Sequence, residues 1–158
     1  MELARNLKVE SVGQLPLSLP LGLGIHQTVD DAVQLMRQKR LGCVLLTDAG
    51  RLEGIFTEKD LLSRILVPRL GLDTPLKKVA TCPPNFVRSG EPIGVAMAKM
   101  VDGHLRHLPV VDEGMRPIGL LTSRILLHFL AGHFLRTIHT LKPRRQARGN
   151  GSAWGPGR

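Results

Sequence analysis

The stretch Gly54-Ile55-Phe56-Thr57-Glu58-Lys59-Asp60-Leu61-Leu62 decides the fold, because the chain carries a second version of it 65 positions later. The second version reads Gly119-Leu120-Leu121-Thr122-Ser123-Arg124-Ile125-Leu126-Leu127. Each version predicts a buried strand, a sharp turn at a threonine and then a helix. Three residues after the threonine, the first version has an acid, Asp60, and the second has Ile125. The stretch therefore predicts a duplicated fold whose two halves differ in function.

The repetition extends outward from this stretch over most of the chain. Matching residues at an offset of 64 positions are Pro20 and Pro84, Ala32 and Ala96, Met36 and Met100, Leu41 and Leu105, Asp48 and Asp112, and Gly50 and Gly114. One extra residue in the second hairpin turn moves the offset to 65, which aligns Gly54 with Gly119 and Thr57 with Thr122. A tandem repeat of this size predicts two copies packed on each other in pseudo-twofold symmetry.

Each copy predicts an extended segment, a helix, two strands joined by a hairpin turn, and a second helix. In the first copy, Thr28 is the predicted N-cap of a helix that ends at Gly42, and a second helix runs from Thr57 through Leu66. In the second copy, the helix that starts at Thr122 is predicted to continue toward residue 141. The predicted divisions are an extended lead-in at residues 1–9, repeats at 10–70 and 74–138, and a basic, disordered tail at 139–158.

Charge is concentrated at the C-terminal end. Residues 1–113 hold 14 Lys and Arg and 13 Asp and Glu, a net charge of +1, whereas residues 114–158 hold 8 Lys and Arg and no acid. Such a tail can contact the phosphates of nucleic acid through charge alone. A solvated tail without a partner is the favoured interpretation, because nothing in it resembles a base-reading element.

Several classes of protein are excluded by composition. The first eight residues lack the apolar centre of a secretory leader, and there is no stretch of about 20 apolar residues. We therefore predict a protein without a secretory leader or a membrane span, in the cytoplasm. The two cysteines, Cys43 and Cys82, fit neither a disulfide scaffold nor a metal site, and Cys43 lies on a predicted core strand. The six histidines include no i,i+4 pair, and no nucleophile and base are paired. We therefore predict no metal, no cofactor and no enzymatic activity.

The two copies, together with the run Arg106-His107-Leu108-Pro109-Val110-Val111-Asp112, resemble a tandem pair of CBS (cystathionine-β-synthase) domains, also called a Bateman module. The resemblance covers about residues 10–135. It implies an α+β fold in which each repeat is β-α-β-β-α and two small sheets face each other across a cleft. It also implies a homodimer, commonly a flat disc, with the apolar helices that begin at Thr57 and Thr122 as the dimer surface.

Related modules bind adenosine nucleotides in the cleft, so the resemblance implies AMP, ADP, ATP or S-adenosylmethionine as the ligand. In them, the motif Gly-φ-φ-Thr-x-x-Asp (φ is apolar) presents its carboxylate to the ribose diol, which carries over to Thr57 and Asp60. A carboxylate suits a vicinal diol because it accepts both hydroxyl donors. By the same resemblance, residues 20–24 would help to form the adenine wall. The other ligand-binding candidates are Arg106, His107, Pro109 and Thr122, with Lys59 and Arg124 ranked lower.

A structural interpretation of the same motif stays open. Thr-x-x-Asp at a helix start is also a capping box, in which Thr57 and Asp60 satisfy each other's backbone N–H groups. A ligand role for Asp60 is favoured because Thr122 is followed by Ile125, so the fold does not require the acid. We predict a stand-alone regulatory module that acts on an unidentified enzyme or transporter. The alternatives are a ligand-free interaction module and a nucleic-acid-associated protein that works through its tail.

Overall fold

The structure, a computed structural model, describes residues 2–140, and the predicted tail from residue 141 onward lies outside them. The helices are α1 (Glu2–Val9), α2 (Val29–Lys39), α3 (Glu58–Asp60), α4 (Leu76–Val79), α5 (Ile93–Asp102) and α6 (Ser123–Thr140). The strands are β1 (Gly22–Gly24), β2 (Cys43–Asp48), β3 (Arg51–Thr57), β4 (Val87–Arg88), β5 (His107–Val111) and β6 (Pro117–Thr122). A 3₁₀ turn (Val12–Gln14) precedes β1, and a π-helical segment (Leu61–Leu66) continues α3.

Two three-stranded sheets confirm the predicted duplication. Their orders are β1-β2-β3 and β4-β5-β6, and in each sheet the first pair of strands is parallel and the second antiparallel. Each hairpin has an irregularity at the matching place, between Leu46 and Thr47 in the first repeat and between Val110 and Val111 in the second. The predicted α+β fold of two β-α-β-β-α repeats is therefore correct, and the two repeats also share the position of the irregularity in their hairpins.

The sheets face each other, and each repeat also has its own core. One core lies between α2 and the first sheet, and the other lies between α5, α6 and the second sheet. A third cluster joins Cys43, Leu45 and Ile55 of the first sheet to Val111 and Leu120 of the second. Burial of these apolar faces against each other holds the repeats together.

Each repeat contributes a crossing segment to the sheet of the other. Ser18, ahead of β1, pairs with Leu120 on β6, and Thr81, ahead of β4, pairs with Ile55 on β3. The glycine of each Gly-φ-φ-Thr motif has no side chain and therefore leaves room for the crossing segment. A Cβ atom on Gly119 would lie 2.5 Å from Leu17 Cδ1, and one on Gly54 would lie 2.5 Å from Cys82 Sγ. The motif's glycine is thus explained by the fold alone.

The predicted extended lead-in is wrong, because residues 2–9 form α1. This helix packs on α5, and Leu7 contacts the second core. A short helix is marginal in water and needs such a partner, so its composition alone did not reveal it. Asn6 adds a hydrogen bond of 2.8 Å from its side chain to His133 Nε2 on α6.

One helix boundary and the form of one helix also differ from the prediction. Helix α2 ends at Lys39, three residues before the predicted stop at Gly42, and its C-cap Arg40 has the left-handed conformation (φ 53°). The helix after Thr57 reaches Leu66 as predicted, but it widens into π-helical turns. None of the helices in residues 2–140 combines the length and apolar character that a membrane crossing requires.

Candidate functional site

Two cavities lie along the groove where the repeats meet, and both are lined by residues of both repeats. We call the smaller one, of about 530 Å³, the Asp60 cavity, and the larger one, of about 810 Å³, the Arg124 cavity. The two share one wall, formed by Gly42, Glu58, Arg106 and His107. Both volumes fall within the range of about 300–1,000 Å³ that small-molecule sites occupy.

The Asp60 cavity brings together five of the seven predicted ligand-binding residues, which are Thr57, Lys59, Asp60, Arg106 and His107. Thr57, Lys59 and Asp60 come from the start of α3, where the chain turns out of β3. Arg106 and His107 come from the start of β5 in the other repeat. Residues 104 and 105 join them because His104 takes a left-handed conformation (φ 49°) that ends α5 and turns the chain into the cavity wall.

Asp60 is buried, and its carboxylate forms the capping box that the sequence left as an alternative. Its Oδ2 accepts hydrogen bonds from Thr57 N at 2.9 Å and from Thr57 Oγ1 at 2.8 Å. Thr57 Oγ1 in turn accepts a hydrogen bond from Asp60 N at 3.3 Å. Helix α2 begins with the same arrangement, in which Asp31 Oδ2 accepts from Thr28 N at 2.9 Å and from Thr28 Oγ1 at 3.0 Å. The same capping geometry therefore also occurs at a helix start outside the cavities.

What separates Asp60 from Asp31 is its second oxygen and its surroundings. Asp60 Oδ1 lies 3.4 Å from Arg64 Nε, one helical turn further along the chain. Arg64 also donates from Nη1 to the backbone oxygen of Val79 at 2.9 Å. Asp60 thus lines a cavity with one oxygen in the helix cap and the other facing the partly exposed guanidinium group of Arg64.

The Arg124 cavity is strongly cationic. Its lining includes Arg37 and Arg40 from the end of α2, Arg106 from the shared wall, and Arg124 from the start of α6. The acid that accompanies them in the lining is Glu58. Such a cluster favours an anionic group, because several guanidinium groups can donate paired hydrogen bonds to phosphate or carboxylate oxygens.

His107 is half-buried at the junction of the two cavities. Burial lowers the pKa of its imidazole, the nearby Arg106 lowers it further, and Glu58 acts in the opposite direction. A Cβ atom on Gly42 would lie 3.0 Å from His107 Cε1, so a glycine at position 42 leaves room for the imidazole ring. The neutral ring therefore adds hydrogen-bonding capacity to the shared wall rather than a fixed charge.

The structure separates two predicted residues from this group. Thr122 lines the Arg124 cavity, where its Oγ1 accepts a hydrogen bond from Ile125 N at 3.3 Å as a helix cap. Pro109 is buried in β5 opposite Leu120 and lines neither cavity.

The glycine-rich segment at residues 20–24 also lines neither cavity, so the two cavities give no support to the adenine wall expected at this segment. The crossing of the segments explains this placement. The segment that precedes β4 pairs with β3 through Thr81, so Thr81 and Asn85 of this segment line the Asp60 cavity. In the same way, Ser18 from the segment that precedes β1 lines the Arg124 cavity.

Sequence reasoning missed Arg37, Arg40, Glu58 and Arg64 as cavity residues. The repeat could have revealed the arginines at the end of α2. At the offset of 64, Gly42 is the counterpart of Arg106 and Arg40 is the counterpart of His104. The residues just before Gly42 therefore occupy the place in the first repeat that the surroundings of Arg106 occupy in the second. Arg64 carried no such signal, since its counterpart at the offset of 65 is Phe129.

Neither cysteine belongs to a metal site in the structure. Cys43 is buried, and burial raises the pKa of its thiol to about 12. Cys82 is exposed, and no group of three or more His, Cys, Asp or Glu that could hold a metal ion occurs within residues 2–140.

Comparison with known proteins identifies the repeats. The sequence matches the family model of the CBS domain at residues 12–67 and again at residues 76–132. CBS domain-containing protein CBSCBSPB1 of Arabidopsis thaliana is 40% identical over 106 residues, which cover 66% of this chain and 20% of that protein. The chain thus spans about a fifth of the length of this relative and of CBS domain-containing protein CBSCBSPB2 from the same organism.

Solved structures share the fold over most of the chain. An uncharacterized conserved protein from Pyrococcus horikoshii has a TM-score of 0.69 at 23% identity and covers 89% of this chain and 98% of its own. A CBS domain protein from Pyrobaculum aerophilum, complexed with AMP, has a TM-score of 0.67 at 27% identity, and the match covers 77% of this chain and 98% of that one. With two matched segments, two pseudo-symmetric sheets and this shared fold, the chain belongs to the CBS domain family and is built as a tandem pair of its repeats.

Proposed function

We propose that this pair of repeats is a regulatory module, not an enzyme, that binds an adenosine nucleotide in the Asp60 cavity. The observation that carries the proposal is the meeting of a buried carboxylate, Asp60, with Lys59, Arg106 and His107 around one cavity of about 530 Å³. An adenosine nucleotide needs this combination, because its ribose offers two hydroxyl donors and its phosphates are anionic.

The roles follow from the chemistry of each group. Asp60 Oδ1 accepts from the ribose diol, and the hydroxyl of Thr57 holds the carboxylate in place through its 2.8 Å bond. Arg106 and Lys59 attract the phosphates. His107 completes the wall as a neutral hydrogen-bonding group. The AMP complex of the Pyrobaculum aerophilum relative supports AMP as the first ligand to test, followed by ADP, ATP and S-adenosylmethionine.

The remaining parts of the proposal concern assembly and setting. The exposed apolar residues Leu62, Leu66 and Val67 after α3 and Leu127 and Phe134 on α6 support dimerisation through these two helices. Binding would shift the populations of packed states of such a dimer, and an enzyme or transporter in the cytoplasm would sense the change.

One observation favours a ligand-free interaction module as the rival. Both oxygens of Asp60 already have partners within the protein, Thr57 on one side and Arg64 on the other. A carboxylate satisfied in this way needs no ligand. The nucleic-acid alternative rests on residues outside the described part of the chain.

Calorimetric titration with each nucleotide, followed by thermal melts, tests the proposal. At about 100 times its dissociation constant, a true ligand adds about 2.7 kcal/mol to the free energy of unfolding. We expect AMP to raise the melting midpoint of the wild type and to have no effect on Asp60→Ala. If no nucleotide binds the wild type, the rival is correct.

Asp31→Ala is the matched control. Both substitutions remove the acceptor of one capping box, so each should cost about 1 kcal/mol of stability. Only Asp60→Ala should lose the ligand, because Asp31 lines neither cavity. Equal AMP affinity in the two variants would leave Asp60 as a helix cap and nothing more.

A further inference from the structure

The guanidinium group of Arg64 makes two contacts at once beside the proposed binding site. Its Nε lies 3.4 Å from Asp60 Oδ1, and its Nη1 donates to the backbone oxygen of Val79 at 2.9 Å. Val79 ends α4 in the segment that links the repeats, two residues before Thr81 in the cavity wall. The guanidinium group therefore bridges the carboxylate of the site and the linker.

The hydrogen-bonding capacity of Asp60 limits what else can bind there. A carboxylate offers about four acceptor positions, two on each oxygen. Thr57 occupies Oδ2 with two donors, and Arg64 faces Oδ1. A vicinal diol needs two free acceptor positions, so it cannot pair fully with Asp60 while Arg64 stays in place.

The second repeat indicates that the acid and the arginine belong together. Counted 65 positions on, Asp60 becomes Ile125 and Arg64 becomes Phe129, so both members of the i,i+4 pair change at once. Ile125 and Phe129 pack against the second core instead. The fold therefore accepts an apolar pair here, and the charged pair is a feature of the Asp60 cavity.

We propose that Arg64 determines specificity at this cavity by competing with the ribose diol for Asp60. This rests on the proposed function, because it concerns the same carboxylate. A ligand with a vicinal diol displaces the guanidinium from Oδ1, whereas a ligand without the diol leaves the bridge to Val79 intact. The side chain of Arg64 is 45% exposed, so water can solvate the displaced group.

Arg64→Gln tests the competition when AMP and 2′,3′-dideoxy-AMP are titrated against the same protein. The ratio of the two dissociation constants isolates the contribution of the diol, because the loss of one positive charge affects both ligands equally. Competition from a partly exposed ion pair is worth a factor of about two to five. We therefore expect the ratio of the dideoxy constant to the AMP constant to rise about two- to fivefold in Arg64→Gln.

Arg5→Gln on α1 is the control, because it removes an exposed arginine from a helix outside both cavities. Arg64→Lys keeps the charge with a single donor group, should fold if Arg64→Gln does not, and should raise the ratio in the same direction. An unchanged or lower ratio in the Arg64 variants, with AMP still binding the wild type, overturns the competition and leaves the proposed function standing. Failure of AMP to bind the wild type and both variants overturns the two proposals together.

Discussion

The two repeats have the same arrangement of strands and different chemistry. They share the order of strands, the bulged hairpins and the left-handed residues Arg40 and His104 at matching positions. They differ on the helix that follows the threonine, where one has Asp60 and the other Ile125. The comparison teaches that the threonine caps and the strand pairing occur in both copies, while the position three residues after the threonine can serve either as a charged cap, Asp60, or as a core residue, Ile125.

The difference also changes the form of the helix. After Thr57, hydrogen bonds of 3.0 Å from Val67 N to Leu62 O and of 2.9 Å from Leu70 N to Ile65 O span five residues, as in a π-helix. After Thr122, α6 is a regular helix of 18 residues. The irregular helix therefore lies in the repeat that carries the charged pair, which agrees with the frequent occurrence of π-helical turns at functional sites.

The largest expected effect tests what the repeats share. Gly119→Ala should cost about 1–3 kcal/mol in urea denaturation, because its Cβ would lie 2.5 Å from Leu17 Cδ1 and 2.9 Å from Leu17 Cβ. Gly54→Ala should cost less, since its closest neighbour is the Sγ atom of the exposed Cys82. Gly132→Ala, with open space around it on α6, should instead add about 0.5–1 kcal/mol. Equal stability of Gly119→Ala and the wild type would show that the crossing segments are loosely packed.

A smaller effect should separate the two threonines. Thr57→Ala removes both the acceptor for Asp60 N and a donor to Asp60 Oδ2, so it should cost about 1–2 kcal/mol. Thr122→Ala removes the acceptor for Ile125 N, and about 0.5–1 kcal/mol is expected. Thr28→Ala, which has the same capping box as Thr57, is the reference and should match it in chemical denaturation. Identical losses for Thr57 and Thr122 would mean that the acid adds nothing to the cap.

The smallest effect concerns pH, and it should come from the second repeat. Burial and Arg106 lower the pKa of His107 below 6.5, so the folded state binds fewer protons than the unfolded state as the pH falls past this value. The stability that neutral His107 contributes is complete above 6.5 and declines below it. His107→Gln should therefore reduce the loss of stability between about pH 7.5 and about pH 5.5.

Melts of His107→Gln and of His26→Gln at the two pH values check this. His26 is exposed between β1 and α2, and its variant should keep the wild-type pH dependence. The counterpart of His107 in the first repeat is Cys43, whose thiol has its pKa raised to about 12 by burial and stays neutral over this range. A wild-type profile in His107→Gln would assign the pH dependence to other groups.

Most of the fold was predictable because duplication supplies its own evidence. Gly54 and Thr57 recur at Gly119 and Thr122, and the hairpin turns recur between matching strands, so each half tested the assignment of the other. Helix α1 was not predictable in this way, since it occurs once and depends on α5 and on the Asn6–His133 hydrogen bond for its place. The π-helical turns after α3 have no clear sequence pattern either.

The lining of the Asp60 cavity was predictable in part. The resemblance grouped Thr57, Asp60, Arg106 and His107, and all four line this cavity, whereas the predicted Pro109 and Thr122 do not. The partners of each carboxylate oxygen could not be predicted, because they depend on the conformations of long side chains such as Arg64. The exchange of crossing segments was also hidden, since strand pairing between distant parts of a chain leaves no local pattern.

The exchange of crossing segments has a consequence for the origin of the molecule. Because Ser18 completes the second sheet and Thr81 completes the first, a chain with a single repeat would be self-complementary and would close its sheet on another copy of itself. Fusing two such copies through a linker turns that association into an event within one molecule, favoured at any protein concentration. In an ancestral dimer every substitution would have appeared on both sides at once. Fusion would remove that symmetry, so that the two copies could come to differ at a single position, as Asp60 and Ile125 do.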